Sequence, residues 1–272
     1  MPELPEVETV VVTLRPKLVG QTIAGVVVHR PDIIAPAGLD LRAKLARQRI
    51  DAVDRRGKRI GFTLANGERF YIHLGMTGRL TFEPPDAELL KHTHLVLALP
   101  TGQVRFRDPR RFGGLWWMAP DTDDATVMGP EPLTLSRVQL ASRLVRTTRA
   151  VKVALLDQRL IAGLGNIYVD EALHAAGIHP LTPSNELTRA QTDALSRSIK
   201  TVLRRAIRSR GSSLRDYVDG DGKKGDFVKY HRVYDRAGEP CVACRTAIER
   251  IVLGGRSTHF CPRCQRRRRD ER

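Results

Sequence analysis

Two residues at the start of the chain could do chemistry together. Removal of Met1, which the small residue Pro2 permits, would leave a secondary amine next to the carboxylate of Glu3. An α-amino group has an ordinary pKa of about 7.7 to 8.0, so part of it is neutral and nucleophilic near pH 7. Attack of such an amine on a sugar C1′ gives an iminium ion, which withdraws electrons from the neighbouring C–O bonds. Glu3 could donate a proton to the sugar or base, or accept one from it. The alternative is structural, in which Pro5 and the acids after it only begin a helix.

All four cysteines lie in the last 32 residues, as two CxxC pairs separated by sixteen residues. This spacing is typical of a zinc site made by Cys241, Cys244, Cys261 and Cys264. Four thiolates leave no open coordination position, so the metal would be structural. Disulfides are the alternative, but they need an oxidising compartment that nothing in the sequence indicates. We therefore predict one structural Zn²⁺ per chain.

Three glycine-flanked segments have the composition of a nucleic-acid interface. Met76 lies between Gly75 and Gly78, and the segment from Asp108 to Gly113 contains Arg110 and Phe112. An apolar side chain at a loop tip near arginines is suited to enter a DNA base stack, although core packing is the alternative for each residue alone. In the segment 162–168, a glycine turn before Asn166 could hold a phosphate with its backbone N–H groups, or could simply allow two helices to pack.

The charge of the chain is concentrated in its second half. The net charge is +16; residues 1–136 carry 18 basic and 16 acidic residues, and residues 137–272 carry 28 and 14. Such a surface favours a polyanion, usually nucleic acid, because each neutralised phosphate releases counterions. An acidic membrane surface is a weaker alternative, since there is no amphipathic helix with an aromatic apolar face. The chain has no run of 18 apolar residues, and its first residues lack the basic and then apolar pattern of a signal peptide. We therefore expect a cytoplasmic protein.

The apolar periodicity predicts an α+β fold. A period of 3.6 from Val7 to Leu18 predicts a helix that ends near Gly20 and holds Pro2 at an exposed end. A period of two then predicts the strands of a β-sandwich, with hairpin turns at residues 65–67 and 100–102. The period returns to 3.6 after Ser136, and the clearest helix begins with a capping box at Thr188.

These patterns predict four regions. Residues 1–119 would form the N-terminal helix and β-sandwich, and residues 120–136, rich in Pro and Asp, would form a hinge. Residues 137–228 would form a helical domain with a glycine-rich loop at 211–227, and residues 229–272 a zinc hairpin with a basic tail.

Taken together and in order, these motifs resemble the formamidopyrimidine-DNA glycosylase family over nearly the whole chain. The segment from Pro2 to Thr9 looks like its N-terminal signature, and residues 73–76 and 108–113 look like its intercalation loops. Residues 165–168 look like its helix-two-turn-helix, and the cysteines look like its zinc finger. The resemblance implies a monomeric enzyme that flips an oxidised purine such as 8-oxoguanine out of double-stranded DNA, excises it and cuts the strand.

The resemblance also implies roles for individual residues. Pro2 would attack C1′ and Glu3 would be the proton donor, with Glu6 of the same signature as a further catalytic candidate. Lys58 would serve β-elimination and phosphate binding, and Arg256 would grip the lesion's phosphate and serve δ-elimination. Met76, Arg110 and Phe112 would fill the gap left by the flipped base, with Arg110 facing the orphaned cytosine. The DNA backbone would be contacted by His92, Lys152, Asn166 and Thr147.

Two other functions remain open from the sequence. The nearer is a Nei-type glycosylase that prefers oxidised pyrimidines, against which Leu4 and the complete set of three intercalating residues argue. The other is a non-catalytic zinc-ribbon protein that only binds DNA. The loop 211–227 matches the family's lid over 8-oxoguanine, but Asp226 stands where an aromatic residue or glycine is more usual, so the sequence leaves the lesion preference open.

Overall fold

The structure, a computed structural model, describes residues 2–119 and 128–267. The described residues form two compact units: residues 2–119 with 207–228, and residues 128–206 with 229–267. Within the described ranges, none of the helices has both the length and the apolar character needed to cross a membrane. The basic residues Arg268 and Arg269, Met1 and the first part of the predicted hinge, residues 120–127, lie outside the described residues.

The first unit begins with helix α1 (Leu4–Leu18), whose apolar residues at helical spacing are fully buried. As predicted, the helix is followed by Gly20, which has a φ of +86° and so suits the turn that leaves the helix. A short helix, α2 (Leu41–Leu45), follows later in the unit. The strands are β1 (Gly25–Val28), β2 (Ile34–Ala35), β3 (Ile50–Arg56), β4 (Arg59–Leu64), β5 (Arg69–His73), β6 (Arg79–Glu83), β7 (Thr93–Leu99), β8 (Gly102–Arg107) and β9 (Gly114–Met118).

These strands form two sheets, with the orders β1-β7-β8-β6 and β2-β9-β5-β4-β3. All neighbours are antiparallel except β2 and β9. The inward-facing residues of both sheets and the apolar face of α1 join one hydrophobic cluster, so the sandwich and the helix share a core. This packing fixes the start of α1 against the sheets.

The second unit is helical and ends in a hairpin. Its helices are α3 (Arg137–Leu144), α4 (Val151–Leu156), α5 (Asn166–Ala176) and α6 (Arg189–Arg208), of which the last two residues belong to the first unit. Strands β10 (Glu249–Leu253) and β11 (Arg256–Phe260) pair antiparallel. Thr188 and Gln191 form the predicted capping box at the start of α6. The predicted α+β fold class is confirmed.

The loop 211–227 packs with the first unit, whereas the sequence prediction grouped it with the helical domain. The Ser212 N–H donates to Glu6 Oε1 at 2.7 Å, and the Gly220 N–H donates to Thr13 Oγ1 at 3.0 Å. The buried Asp219 accepts the N–H groups of Asp221 and Lys223, which folds the middle of the loop on itself. These bonds hold the loop along α1.

Candidate functional site

Pro2 and Glu3 lie at the start of α1. Pro2 is buried, which corrects the expectation of an exposed end, and Glu3 is only 2 % exposed. The Glu3 N–H donates to Glu6 Oε2 at 2.8 Å, and the Glu3 carboxylate accepts the Glu6 N–H, so the two residues form a capping box. The carboxylate next to Pro2 is therefore held in one orientation, as proton transfer requires.

Glu6 also connects the start of α1 to the loop 211–227. Its Oε1 accepts the Ser212 N–H, and the Tyr217 hydroxyl donates to the Glu6 carbonyl oxygen at 3.2 Å. Burial and the charge of Glu6 raise the pKa of Tyr217, so the hydroxyl keeps its proton and remains a donor. Gly211 has a φ of +78°, and a Cβ there would lie 2.6 Å from Glu6 Oε1, so only glycine fits. Glu6 therefore positions both Glu3 and this loop.

Lys58 lies in the two-residue turn between β3 and β4 and is 8 % exposed. Gly57 before it has a φ of +57°. Arg55, on β3, lies 2.6 Å from the carboxylate of Glu8 on α1 and donates to the Gly57 carbonyl oxygen. This contact ties the turn that carries Lys58 to the helix that carries Pro2 and Glu3.

His73 ends β5, opposite Arg59 of β4. Burial, followed by the charges of Lys58 and Arg59, lowers the pKa of His73 to about 4. Its Nδ1 accepts the Gly75 N–H at 3.1 Å, as a neutral imidazole can. His73 is therefore neutral at pH 7.

We expect the replacement His73→Asn to make the free energy of unfolding of the first unit less dependent on pH below pH 6.5. In the folded chain the pKa of His73 is about 4, below its ordinary 6.5. The contribution of neutral His73 to the free energy of unfolding is therefore complete above pH 6.5 and is lost as the pH falls towards 4. The slope from one such histidine is at most about 1.4 kcal/mol per pH unit. Asn cannot titrate, and its Oδ1 can still accept the Gly75 N–H.

The measurement is urea unfolding at several pH values between 7.5 and 4.5, followed by tryptophan fluorescence. Both tryptophans of the chain, Trp116 and Trp117, lie on β9, so the signal reports on the unit that contains His73. Equal slopes for the wild type and the variant would show that His73 is not the titrating group.

The two predicted loop tips are exposed. Met76 is 41 % exposed and Phe112 is 55 % exposed, which argues against the alternative that both are core residues. The Arg110 guanidinium lies over the Phe112 ring, 4.6 Å from its centroid, in a cation–π contact. The second tip thus presents an aromatic face and a cation together.

Asp108 holds the two tips together, and the sequence prediction gave it no role. It is fully buried; its Oδ2 accepts the Gly113 N–H at 2.8 Å, and its Oδ1 accepts the Thr77 hydroxyl. The backbones also meet at Gly75, where a Cβ would lie 2.5 Å from the Gly113 nitrogen. The signal that could have indicated Asp108 is its position two residues before Arg110, where an aspartate side chain can cap the following turn.

The residues predicted to contact the DNA backbone differ in exposure. In the first unit, His92 is exposed and has a φ of +69°. In the second unit, Arg256 is exposed at the start of β11, and Thr147 is half-buried and accepts from the Arg149 backbone N–H and side chain. Asn166 begins α5 and donates to the Ser257 carbonyl oxygen at 2.8 Å.

Lys152 is the exception, because it is fully buried. Its Nζ lies 2.6 Å from Asp170 Oδ1 and donates to the Ser257 carbonyl oxygen at 2.8 Å. The structure therefore brings Lys152 and Asn166 together at the residue that follows Arg256.

The four cysteines form a site that fits one zinc ion. Their sulfur atoms all lie within 4.8 Å of one another, with 3.9 Å between Cys241 and Cys264 and 3.4 Å between Cys244 and Cys261. Tetrahedral Zn–S bonds of about 2.3 Å place sulfur atoms about 3.8 Å apart, whereas a disulfide requires about 2.05 Å. The cysteines are not bridged in the structure, and their sulfur separations favour a zinc site over the disulfide alternative.

Three family models match the chain in order. They are the formamidopyrimidine-DNA glycosylase N-terminal domain (residues 1–115), the formamidopyrimidine-DNA glycosylase H2TH domain (residues 128–218) and a zinc finger found in FPG and IleRS (residues 238–267). The third match assigns the cysteine group to a zinc finger, so the predicted zinc site is supported by both geometry and sequence.

Individual relatives give the same result. The formamidopyrimidine-DNA glycosylase of Chloroflexus aggregans is 46 % identical over 273 residues, 97 % of this chain and 98 % of the relative. The structure of wild-type Lactococcus lactis Fpg (MutM) with DNA that contains N7-benzyl-Fapy-dG is 36 % identical and has a TM-score of 0.91, with 98 % and 100 % of the two chains covered. A complex of Lactococcus lactis Fpg with DNA that contains an abasic site has a TM-score of 0.90 and the same identity, with 97 % and 100 % covered. With all three domains matched and the relatives covered almost completely, the chain belongs to the formamidopyrimidine-DNA glycosylase family.

Proposed function

We propose that this DNA glycosylase excises oxidised purines, such as 8-oxoguanine and formamidopyrimidines, and then cuts the strand through an iminium intermediate on Pro2. The observation that carries the proposal is the buried capping box, which fixes the Glu3 carboxylate directly after Pro2. A merely structural helix start does not need a buried acid, since carboxylates at a helix N-terminus are normally solvated.

The reaction uses these two residues in sequence. The Pro2 nitrogen forms a bond to C1′ as the bond from C1′ to the base breaks, and the base leaves with that electron pair and takes a proton from solvent, which the later loss of the proton on nitrogen balances. Glu3 donates a proton as the sugar ring opens at its C1′–O4′ bond, and loss of the proton on nitrogen completes the iminium ion. Loss of a C2′ proton then expels the 3′ phosphate, loss of the C4′ proton expels the 5′ phosphate, and water releases Pro2. Lys58 serves the first elimination, and Arg256 serves the second.

The exposed loop tips supply the replacement for the flipped nucleotide. Met76 and Phe112 enter the base stack, and Arg110, already stacked on Phe112, faces the orphaned cytosine. Unstacking a base costs a few kcal/mol, which the wedge and the phosphate contacts offset. The related Lactococcus lactis structures contain DNA with a formamidopyrimidine or an abasic site, and this supports double-stranded damaged DNA as the partner of this chain.

Phosphate contacts by His92, Asn166, Arg256 and Thr147 complete the binding surface. The net charge of +16 gives a large electrostatic contribution to DNA binding. We further propose that the protein acts as a monomer in the cytoplasm, at the nucleoid.

The replacement Glu3→Gln tests the chemistry separately from binding. Gln keeps the cap acceptor but cannot donate a proton to the sugar, so single-turnover excision of 8-oxoguanine should fall about 10²- to 10⁴-fold. Borohydride trapping of the covalent intermediate should fall in parallel, while affinity for a tetrahydrofuran abasic analogue should stay within about threefold. The matched control is Glu68→Gln, which changes a surface carboxylate paired with Lys44 in the same unit. It should leave the excision rate and the trapping unchanged.

Undiminished trapping with Glu3→Gln would contradict the role of Glu3. The nearer alternative is tested on substrates: duplexes with 8-oxoguanine opposite cytosine and with thymine glycol are compared at equal enzyme concentration. Faster excision of thymine glycol would assign the chain to oxidised pyrimidines. DNA binding without any cleavage would favour a non-catalytic protein.

A further inference from the structure

The second unit contains a buried carboxylate that no step of the proposed reaction uses. Asp170, on α5, is 1 % exposed. Its Oδ1 lies 2.6 Å from Lys152 Nζ, and its Oδ2 accepts the His259 backbone N–H at 2.9 Å and lies 3.3 Å from His259 Nδ1. A buried ion pair contributes little to net stability compared with apolar residues of the same volume. Another role of such a pair is to fix a conformation, and the contacts of Asp170 and Lys152 show which segment they hold.

The segment that these contacts hold is the start of β11. Lys152 and Asn166 each donate to the Ser257 carbonyl oxygen at 2.8 Å, and Asp170 binds residue 259 two positions further along the strand. From the other strand of the hairpin, Arg250 donates to the Ser257 hydroxyl at 2.8 Å. Ser257 is thus held from the helices and from the hairpin at once.

The turn before Ser257 has little rigidity of its own. Gly254 and Gly255 have φ values of +56° and +72°, and glycine is the residue with the greatest backbone freedom. Arg256 follows directly and is exposed. The direction of its side chain therefore depends on how firmly Ser257 and His259 are anchored.

We propose that Asp170 and Lys152 are positioning residues for Arg256. Lys152 acts through its bond to Ser257 and its pairing with Asp170, because a fully buried ammonium group is not available to a phosphate. Asp170 holds that ammonium group in place and binds β11 directly. This inference rests on the proposed role of Arg256 in binding the lesion's phosphate and in δ-elimination.

The test uses the zinc-loaded, full-length protein with Asp170→Asn and Lys152→Met. Each should weaken binding to a tetrahydrofuran-containing duplex about tenfold and lower the ratio of δ to β products at an abasic site. The salt dependence of binding should lose nearly one unit of slope, which is also the change expected for Arg256→Ala if that replacement removes one phosphate contact. Asp193→Asn, a surface carboxylate of α6 paired with Arg137, is the matched control and should change none of these.

A double-mutant cycle separates positioning from general destabilisation. If Asp170 acts through Arg256, Asp170→Asn should have almost no further effect in the Arg256→Ala background. Additive losses, or an unchanged salt slope with Asp170→Asn, would overturn the inference. Zinc content and the unfolding temperature are measured for every variant. If Asp170→Asn does not fold, the double replacement Asp170→Leu with Lys152→Met removes the charges together and enters the same cycle.

The outcome distinguishes this inference from the function on which it rests. If Arg256→Ala by itself leaves the affinity, the salt slope and the product ratio unchanged, the proposed role of Arg256 fails. If Arg256→Ala reduces them and Asp170→Asn does not, only the positioning role fails.

Discussion

Protein that retains Met1 should lose excision and strand cleavage at 8-oxoguanine by at least about 10³-fold, the scale on which removal of a catalytic nucleophile acts. With Met1 in place the Pro2 nitrogen is part of a peptide bond, whose delocalised lone pair cannot attack C1′. The measurement compares two preparations of one polypeptide, with and without Met1 as verified by mass spectrometry. Each is assayed by single-turnover cleavage and borohydride trapping.

Enzymatic removal of Met1 from the inactive preparation provides the control for this prediction. Treatment of the retained form with a methionine aminopeptidase should recover activity in proportion to the fraction processed. DNA affinity should change far less, because the loop tips and Arg256 are unaltered. If protein with Met1 fully retained still formed a covalent adduct, Pro2 would not be the nucleophile. Another amine would then have to attack C1′, and Lys58 is the first candidate.

Loss of zinc should weaken DNA binding by more than about 100-fold, because structural zinc contributes on the order of 10 to 16 kcal/mol to the folding of a small finger. Among the residues that the structure describes, the buried cluster under the hairpin consists of Val233, Ile248 and the cysteines, which is too little apolar surface to fold the hairpin without metal. Without the hairpin, Arg256 has no defined position. We expect Cys261→Ser, or removal of zinc by a chelator, to produce this loss.

The first unit should survive this treatment. Fluorescence of Trp116 and Trp117, both on β9, should keep its folded spectrum while affinity for a tetrahydrofuran duplex disappears. Addition of Zn²⁺ should restore binding after chelation with a stoichiometry of one ion per chain. Val252→Ser, an exposed change on β10, is the matched control and should bind normally. Tight binding by metal-free protein would show that zinc is not needed to present Arg256.

Much of the fold follows from local pattern. Helix α1 and the hairpin of β4 and β5 are predictable because their apolar residues keep one period and because Asn66-Gly67 is a strong turn signal. Strand β3 lacks this pattern. A β-bulge between Ile50 and Ala52 shifts its register, so its buried residues Ile50 and Val53 are three apart and the alternation is lost.

The site residues divide in the same way. The cysteines and the sequence around Pro2 carry their chemistry in their spacing and can be recognised in the sequence. Asp170 cannot, because a buried carboxylate has the same sequence appearance as a surface one until its partners Lys152 and His259, distant in the chain, are known. Lys152 shows the converse: the family resemblance implied a DNA contact, and only the fold shows that its side chain is buried.

The contact between Gly75 and Gly113 restricts which sequences the two loop tips can have. A side chain at either glycine would overlap backbone atoms of the other loop. Both positions must therefore remain glycine for the two tips to lie side by side. Replacement of either glycine by alanine should therefore lower the unfolding temperature of the first unit, whereas replacement of the exposed Met76 or Phe112 should not.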